Sequence, residues 1–286
     1  MLNDLTSLNI SGKFTMFADD TTIMWHHRDV HLLENTVSSD LFKIKEWCDA
    51  NCLTLNVTKT NIMSFKCRIR EVYLDSTPMT CVQCNRFLGL FIDERLKFDE
   101  HIFDLRNRLS RGCFALRVVT KELDGASARN VYFALIESHL RYGICFWGSC
   151  SNELFNSVFI LQKRALRVLC RGDSIDSSRP LFIAQRILTL PCIFILETVC
   201  LMHKKFNMEI SDLTKNSTRR THLISLPIPK SSLAKNSLIY NSKKLFNHLP
   251  QEVRQIKNIK QFRKRVKSLL LARAFYTVSE FYESTC

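Results

Sequence analysis

The sequence predicts an α+β fold in which residues 1–99 mix strands with a helix and the rest of the chain is almost entirely helical. Three observations predict it. The 286 residues include only 7 glycines and 6 prolines, and so few breakers favour helices over a many-turned β fold. Short runs of β-branched and aromatic residues are concentrated before residue 100. Beyond it, apolar residues recur at helical spacing.

A β-hairpin is the first predicted element. Residues 13–18 form a short β-rich run, Asp19 and Asp20 interrupt it, and residues 21–25 resume with β-branched and aromatic side chains. Strand, acidic turn and strand is the simplest interpretation. The hairpin would then carry two carboxylates at its tip.

An amphipathic helix and two further strands complete the mixed segment. Residues 31–48 carry apolar residues in steps of three and four, which predicts one buried helical face. Residues 62–65 and 87–93 are apolar runs that we expect to form strands. Gly89 in the second run allows another backbone to approach closely.

The remaining sequence predicts helices separated by one polar segment. Residues 207–232 are polar and rich in breakers, which indicates a linker or an exposed loop. A final basic helix is expected at about residues 251–275. The other predicted helices cover residues 101–121, 126–141, 153–171 and 181–206.

The net charge of +14 is unevenly distributed. Residues 1–60 contain 5 Lys/Arg and 8 Asp/Glu, a net charge of −3, so the remainder carries +17. A basic body behind a mildly acidic start is typical of a protein that holds a polyanion near a metal-binding carboxylate cluster. A basic protein with no polyanionic partner is the alternative.

The cysteines and the apolar segments narrow the class of protein. The chain begins with no basic region followed by an apolar run, so we expect its 12 cysteines to be reduced thiols of an intracellular protein. The C-x-x-C pair Cys81 and Cys84 lacks a second pair of zinc ligands. No apolar run approaches the roughly 20 residues of a membrane-spanning helix.

The C-terminal segment concentrates basic charge on one helical face. Residues 230–273 hold 12 Lys/Arg and a single acid, Glu252. An amphipathic helix there can dock through its apolar side and present the other side to the phosphates of RNA or DNA. A solvated charged face and a helix lying on a membrane surface are the two alternatives. The candidate phosphate-binding residues are Lys257, Lys260, Arg263, Lys264 and Lys267.

The two hairpin carboxylates indicate a metal site when their surroundings are included. Adjacent Asp19 and Asp20 repel each other unless a cation lies beside them, and nucleotidyl transfer uses divalent metals held by carboxylates. A simple solvated turn is the alternative, because Asp favours turns. The flanking residues 14–23 read Phe-Thr-Met-Phe-Ala-Asp-Asp-Thr-Thr-Ile. They resemble the aromatic-x-Asp-Asp signature of reverse transcriptases from non-LTR retrotransposons.

More of that pattern follows in the order found in jockey-like elements. Residues 53–60 are similar to the Leu-x-Leu-Asn-x-x-Lys-Thr segment that follows the palm helix of that family. Residues 87–93 resemble its primer-grip strand. Residues 141–143 with 147–148, and then 161–165, resemble the helical region beyond the thumb. Residues 249–254 and 262–276 are similar to the end of those proteins. The resemblance therefore covers nearly the whole chain and corresponds to the C-terminal half of the polymerase.

The resemblance implies catalytic roles at the hairpin. Asp19 would ligate Mg²⁺, and Asp20 would assist metal binding or shape the turn. Lys59 would lie near the incoming triphosphate, where a lysine neutralises charge or donates a proton to the leaving pyrophosphate. An ordinary surface lysine after a strand is the alternative for Lys59.

The resemblance also implies contacts to the primer. Phe17 would pack beside the primer terminus. Leu88 and Gly89 would lie against the primer backbone, although close packing alone would also explain the glycine. The implied partners are an RNA template and a DNA primer or target, in the nucleus, with no membrane.

The implied organisation leaves the active site incomplete. Residues 1–99 would be a partial palm, 100–206 a helical thumb and connection, 207–232 a linker, and 233–286 a basic helical region. In the family, a third essential carboxylate and the fingers lie upstream of the hairpin, and this chain begins just before the hairpin. We therefore expect a fragment that is inactive by itself and that could assemble with an N-terminal half. A non-catalytic RNA- or DNA-binding protein derived from such an element is the alternative.

Overall fold

A computed structural model describes residues 2–18, 20–65, 69, 72–74, 77–171, 177–213 and 223–284. The chain divides into two compact units, Met1–Leu96 and Lys97–Cys286. The first is a mixture of strands and helix and the second is helical. The predicted α+β class is thus confirmed.

The first unit combines one long helix with three two-stranded antiparallel sheets among its described residues. Two 3₁₀ turns, Leu2–Ser7 and Val57–Lys59, accompany them. The helix is α1 (Val30–Ala50), and the strands are β1 (Lys13–Phe17), β2 (Asp20–Met24), β3 (Tyr73–Leu74), β4 (Thr77–Pro78), β5 (Cys84–Phe87) and β6 (Leu90–Asp93).

Helix α1 organises the core of this unit. It begins where the side chain of Asp29 accepts hydrogen bonds from the backbone amides of His31 and Leu32, which satisfies donors that the first turn leaves free. The apolar face expected from the sequence is the buried face. It packs with strand residues such as Phe14 and Ile23, and its buried apolar members are Leu33, Val37, Leu41, Ile44 and Cys48.

Two strand predictions need correction. Residues 62–65 form no strand, because only Ile62 makes an isolated parallel bridge, with Cys81. Residues 87–93 form a hairpin instead of one strand, since Leu88 (φ 46°) and Gly89 (φ 82°) both adopt the left-handed conformation. That combination is typical of the two-residue turn that reverses a chain between antiparallel strands.

The second unit is a helical assembly around one apolar helix. Residues 190–196 of α8 are all buried, and α10, α12 and α5 pack against this helix. A second packing contact joins α2 and α6. The helices are α2 (Asp99–Glu122), α3 (Gly125–Tyr132), α4 (Ser138–Arg141), α5 (Ile144–Trp147), α6 (Asn152–Cys170), α7 (Arg179–Ala184), α8 (Leu190–Leu213), α9 (Ser232–Lys235), α10 (Leu238–His248), α11 (Gln251–Arg254), α12 (Ile259–Arg273) and α13 (Val278–Glu283).

Several predicted helix boundaries differ from the structure. The predicted linker 207–232 begins inside α8, which continues to Leu213, while residues 223–231 are irregular. Residues 214–222 of that linker lie outside the described residues. The final basic helix is divided into α11 and α12, because Asn258 caps a new helix by accepting from the amides of Lys260 and Gln261. The predicted helix 126–141 contains a π-helical turn, Phe133–Glu137.

No helix in the described part of the chain is long and apolar enough to cross a bilayer. Helix α8 comes nearest in composition, but Glu197 lies within it. The ion-pair partners of Glu197 explain why an acid occurs in this apolar helix.

Candidate active site and nucleic-acid interface

The predicted catalytic hairpin exists, and its register fixes the tip. Phe17 at the end of β1 pairs with Asp20 at the start of β2, which leaves Ala18 and Asp19 as the connecting residues. Ala18 has φ of 53°, as a tight reversal requires. Asp20 is exposed, and so is the Phe17 side chain, at 64%. Asp19, the predicted metal ligand, lies outside the described residues.

The base of the hairpin is held by a buried carboxylate that the sequence analysis did not single out. Asp40 on α1 is only 2% exposed. Its Oδ2 accepts hydrogen bonds from the amides of Ser11 (2.9 Å) and Gly12 (3.2 Å) and from the indole Nε1 of Trp25 (2.8 Å). Ser11 and Gly12 lead into β1 and Trp25 follows β2, so one side chain ties both ends of the hairpin to the helix. The signal in the sequence was an acid on the apolar face of α1.

Close packing accompanies this anchor at Gly12. A Cβ atom at this position would lie 2.5 Å from Cγ2 of Ile23 and 2.6 Å from the indole of Trp25. A side chain there would therefore displace the indole that donates to Asp40.

The backbone of Lys59 is positioned by a small cap. Asn56 accepts a hydrogen bond from the Lys59 amide (3.2 Å) and one from the Thr58 hydroxyl (2.7 Å), which closes the 3₁₀ turn. The Lys59 side chain is exposed, and no ion pair joins it to Asp20. The structure thus supplies an ordered turn in front of the lysine but does not bring it into contact with the described hairpin carboxylate.

The described acidic residues do not complete a divalent-metal site. No group of three His, Cys, Asp or Glu side chains that could hold a metal occurs among them. Mg²⁺ prefers several oxygen ligands in near-octahedral geometry, and Asp20 is the one described carboxylate at the hairpin tip. The residues that the structure describes therefore do not fit the metal by themselves.

The predicted primer contact lies at the tip of the second hairpin. Leu88 and Gly89 form the turn between β5 and β6, and both are half-buried. The guanidinium of Arg86 lies 5.8 Å from the ring centroid of Phe91 across the same hairpin.

Helix α12 presents its lysines outward because its apolar side is docked. Phe262, Val266 and Leu270 are buried, and α12 packs against α8. The ring of Phe262 stacks on His203 of α8 with 4.1 Å between centroids. The four lysines predicted to bind phosphate are all exposed: Lys257, Lys260, Lys264 and Lys267.

Arg263 differs from these lysines because it is committed to an internal ion pair. Its guanidinium donates to both carboxylate oxygens of Glu197, at 2.6 and 3.0 Å. This hydrogen bonding raises the pKa of Arg263. Glu197 also pairs with Arg141, which in turn contacts Glu137 at 2.6 Å. Two acids and two arginines therefore neutralise one another where α4, α8 and α12 meet, which explains the acid within the apolar helix.

The two units carry opposite charge. Residues 1–96 contain 10 Lys/Arg and 12 Asp/Glu, a net charge of −2, whereas residues 97–286 contain 31 and 15, a net charge of +16. The basic surplus thus belongs to the helical unit. A surplus of this size attracts polyanions over distances of about 10 Å at 0.1 M salt.

Known proteins similar to this chain come from mobile genetic elements. The chain is 23% identical over 169 residues to the probable RNA-directed DNA polymerase from transposon X-element of Drosophila melanogaster, a match of 57% of this chain and 19% of that protein. It is 23% identical over 158 residues to the RNA-directed DNA polymerase from mobile element jockey of the same species, covering 53% and 17%.

A relative from another insect has a similar match. The retrovirus-related Pol polyprotein from type-1 retrotransposable element R1 of Bradysia coprophila is 26% identical over 157 residues, 50% of this chain and 15% of its own length. The chain is a relative of the non-LTR retrotransposon RNA-directed DNA polymerases. The resemblance expected from the motifs is thereby confirmed.

The similarity covers only part of each relative. The matched region makes up less than a fifth of the length of the curated relatives. No protein-family model matches the chain, and no solved structure matches it. The relationship is therefore carried by sequence similarity over about half of this chain.

Proposed function

We propose that this chain is the nucleic-acid-binding part of a non-LTR retrotransposon reverse transcriptase and does not extend a primer by itself. The observation that carries the proposal is the helical unit with its net charge of +16, in which α12 is docked by its apolar side and presents its lysines outward. In this assignment residues 1–99 are a partial palm, 100–206 the thumb and connection, and 233–286 the basic end of the protein.

The hairpin sequence is evidence of a relationship to polymerases, but it is not sufficient for primer extension. Asp19 and Asp20 supply two adjacent carboxylates on one turn, whereas stabilising phosphoryl transfer depends on preorganised charge from several directions. In the complete enzyme Asp19 and Asp20 would hold Mg²⁺, with Lys59 facing the triphosphate and with Phe17, Leu88 and Gly89 along the primer. The chain by itself leaves that arrangement unfinished.

The lysine face of α12 suits phosphates better than the alternatives. Lys260, Lys264 and Lys267 recur at helical spacing on the exposed side of a helix whose other side is buried against α8. A membrane-bound helix would instead need an available apolar side. An RNA template and a DNA primer or target are the proposed partners, and Arg263 has a structural role.

The test of binding is fluorescence anisotropy with a labelled oligonucleotide over a series of salt concentrations. Substituting Lys260, Lys264 and Lys267 together by Gln should weaken binding uniformly across sequences and reduce the slope of log Kd against log salt by about 3. The matched control carries the same charge change at three exposed lysines elsewhere, Lys13, Lys204 and Lys235. An equal loss in both variants would overturn the assignment of binding to α12.

The test of catalysis is primer extension with Mg²⁺. We expect no product from the chain by itself. Mg²⁺-dependent extension that disappears in Asp19→Ala would contradict the proposed inactivity. Nucleic-acid binding that persists in Asp19→Ala and Asp20→Ala would agree with a binding role that is independent of the carboxylates.

A further inference from the structure

The outer face of α2 exposes aromatic side chains that the helical core does not use. Phe103 is 63% exposed and Phe114 is 69% exposed. At 100° per residue these positions lie within about 20° of each other around the helix, about 16 Å apart along its axis. Val118, one turn further, is exposed on the same side. Large apolar side chains arranged in a row on a surface indicate a contact with something else.

Basic side chains alternate with these aromatic ones. From residue 105 to 121 the sequence contains five Lys/Arg and no acid. Arg108 is paired with Asp104 at 2.8 Å. The other four are exposed on or beside the aromatic row: Arg106, Arg111, Arg117 and Lys121.

The row leads into a basic cavity at the ends of α2 and α6. The cavity has a volume of about 820 Å³, and Arg117 and Lys121 line it from α2. Three arginines face them from α6 and the residue after it: Arg164, Arg167 and Arg171. Ile160 and Val168 supply an apolar wall, and no acidic residue is among the lining residues that the structure describes.

The geometry of this cavity is fixed by the fold. Arg171 donates a hydrogen bond to the backbone carbonyl of Thr120, which joins the last turns of the two helices. Helix α2 also packs along α6, and Gly112 permits close contact with the π-helical turn: a Cβ there would lie 2.9 Å from Ile136. The packing of α2 against α6 therefore keeps the basic side chains close together despite their mutual repulsion.

The basic side chains that line the cavity are not explained by favourable interactions with the helix dipoles. The C-terminal turns of α2 and α6 favour nearby cations, but the effect is confined to the last turn. Arg117 and Arg164 lie before that turn. The exposure of the uncharged side chains Phe103 and Phe114 is not explained by helix dipoles at all. An apolar protein partner is also disfavoured, because burying four cations among the aromatic side chains would cost desolvation free energy.

We propose that this face binds an unpaired stretch of nucleic acid, with bases stacked on Phe103 and Phe114 and backbone phosphates held by Arg117, Arg164 and their neighbours in the cavity. Aromatic side chains bind bases only where the bases are free to leave their own stack, whereas phosphates are recognised in any strand. The site rests on the proposed nucleic-acid function. It differs from the α12 lysine face in residues and in its preference for single strands.

Anisotropy titrations of the whole chain with a labelled single-stranded oligonucleotide and with the corresponding duplex test this site. The double substitution Phe103→Ala, Phe114→Ala should weaken single-strand binding at least about 25-fold, from two lost stacking contacts, and duplex binding less than about threefold. The matched control substitutes two other exposed phenylalanines, Phe42 and Phe146, by Ala. It should change neither affinity.

The phosphate half of the site has its own variant. Arg117→Gln with Arg164→Gln should weaken single-strand binding and lower its salt slope by about 1.4, whereas Arg28→Gln with Arg95→Gln should not. Because the four substituted arginines are all exposed, we expect unchanged circular dichroism and melting temperature, which would show that each variant is folded.

The outcomes separate the two proposals. If the chain binds no oligonucleotide at all, the proposed function fails and this site fails with it. If the α12 lysine variant loses affinity while the Phe103, Phe114 variant keeps its single-strand affinity, only the α2 site is refuted. Selective loss of single-strand binding in the phenylalanine variant supports the site.

Discussion

Removing the Asp40 carboxylate should loosen the hairpin that carries Asp19 and Asp20. In Asp40→Ala the amides of Ser11 and Gly12 and the indole of Trp25 lose their shared acceptor. The helix itself should persist, because alanine has a high helix propensity. We therefore expect the two ends of the hairpin, rather than α1, to lose order.

The size of the effect follows from the geometry. A hydrogen bond to a charged group contributes about 1.5–3 kcal/mol, and the three here share one oxygen, so their contributions do not add. The donors are half-buried or exposed and regain water in part. We expect a loss of about 3 kcal/mol in the unfolding free energy of this unit for Asp40→Ala. Asp40→Asn, which keeps an acceptor oxygen, should lose about half as much.

Amide hydrogen exchange measured by NMR reads this site directly. Protection at Ser11 and Gly12 should fall in Asp40→Ala, and the indole resonance of Trp25 should shift. Asp49→Ala is the matched control, because Asp49 is an exposed acid on the same helix and forms a surface ion pair with Lys45. Such pairs contribute little, about 0–1 kcal/mol. An equal effect of the two substitutions would refute the anchoring role of Asp40.

Three further predictions concern the helical unit. Burial lowers the pKa of His101 below 6.5, so the unfolded chain binds the proton more readily and stability should fall as pH drops below about 6.5; His101→Phe should flatten that dependence. Gly148→Ala should cost about 2 kcal/mol, because its Cβ would meet the ring of Phe194 and lie 2.5 Å from the carbonyl oxygen of Ile144. Glu197→Gln should cost about 2 kcal/mol, because it leaves two arginines short of negative charge.

Urea unfolding followed by circular dichroism measures all three, each against a control. His26→Phe, at an exposed position, should leave the pH dependence unchanged. Gly125→Ala should be neutral or slightly stabilising, because nothing lies within 4 Å of its Cβ. Glu252→Gln removes an exposed acid and should have little effect. An unchanged pH dependence in His101→Phe would contradict the prediction for that histidine. For Gly148→Ala and Glu197→Gln, a variant that is no less stable than its control would contradict the corresponding contact.

The sequence determined the elements that depend on neighbouring residues. The β1–β2 hairpin follows from two β-rich runs around a turn, and the buried face of α1 follows from apolar residues in steps of three and four. The docking of α12 was foreseeable for the same reason. The prediction of a strand at 62–65 was wrong. A short apolar run becomes a strand only if a neighbouring segment pairs along it, and here only Ile62 forms a bridge.

Only the tertiary structure decided which polar residues are structural and which face outward. Asp40 was not singled out from the sequence, because the backbone amides that donate to it belong to residues 28 and 29 positions earlier. From the sequence, Arg263 was grouped with the neighbouring lysines as a phosphate-binding residue. In the structure its guanidinium donates to Glu197, 66 positions away. The sequence does not distinguish the exposed Phe103 and Phe114 from buried phenylalanines, because burial depends on which other segments pack against a side chain. Local sequence fixes the face on which a side chain lies, whereas its partner comes from distant segments that meet only on folding.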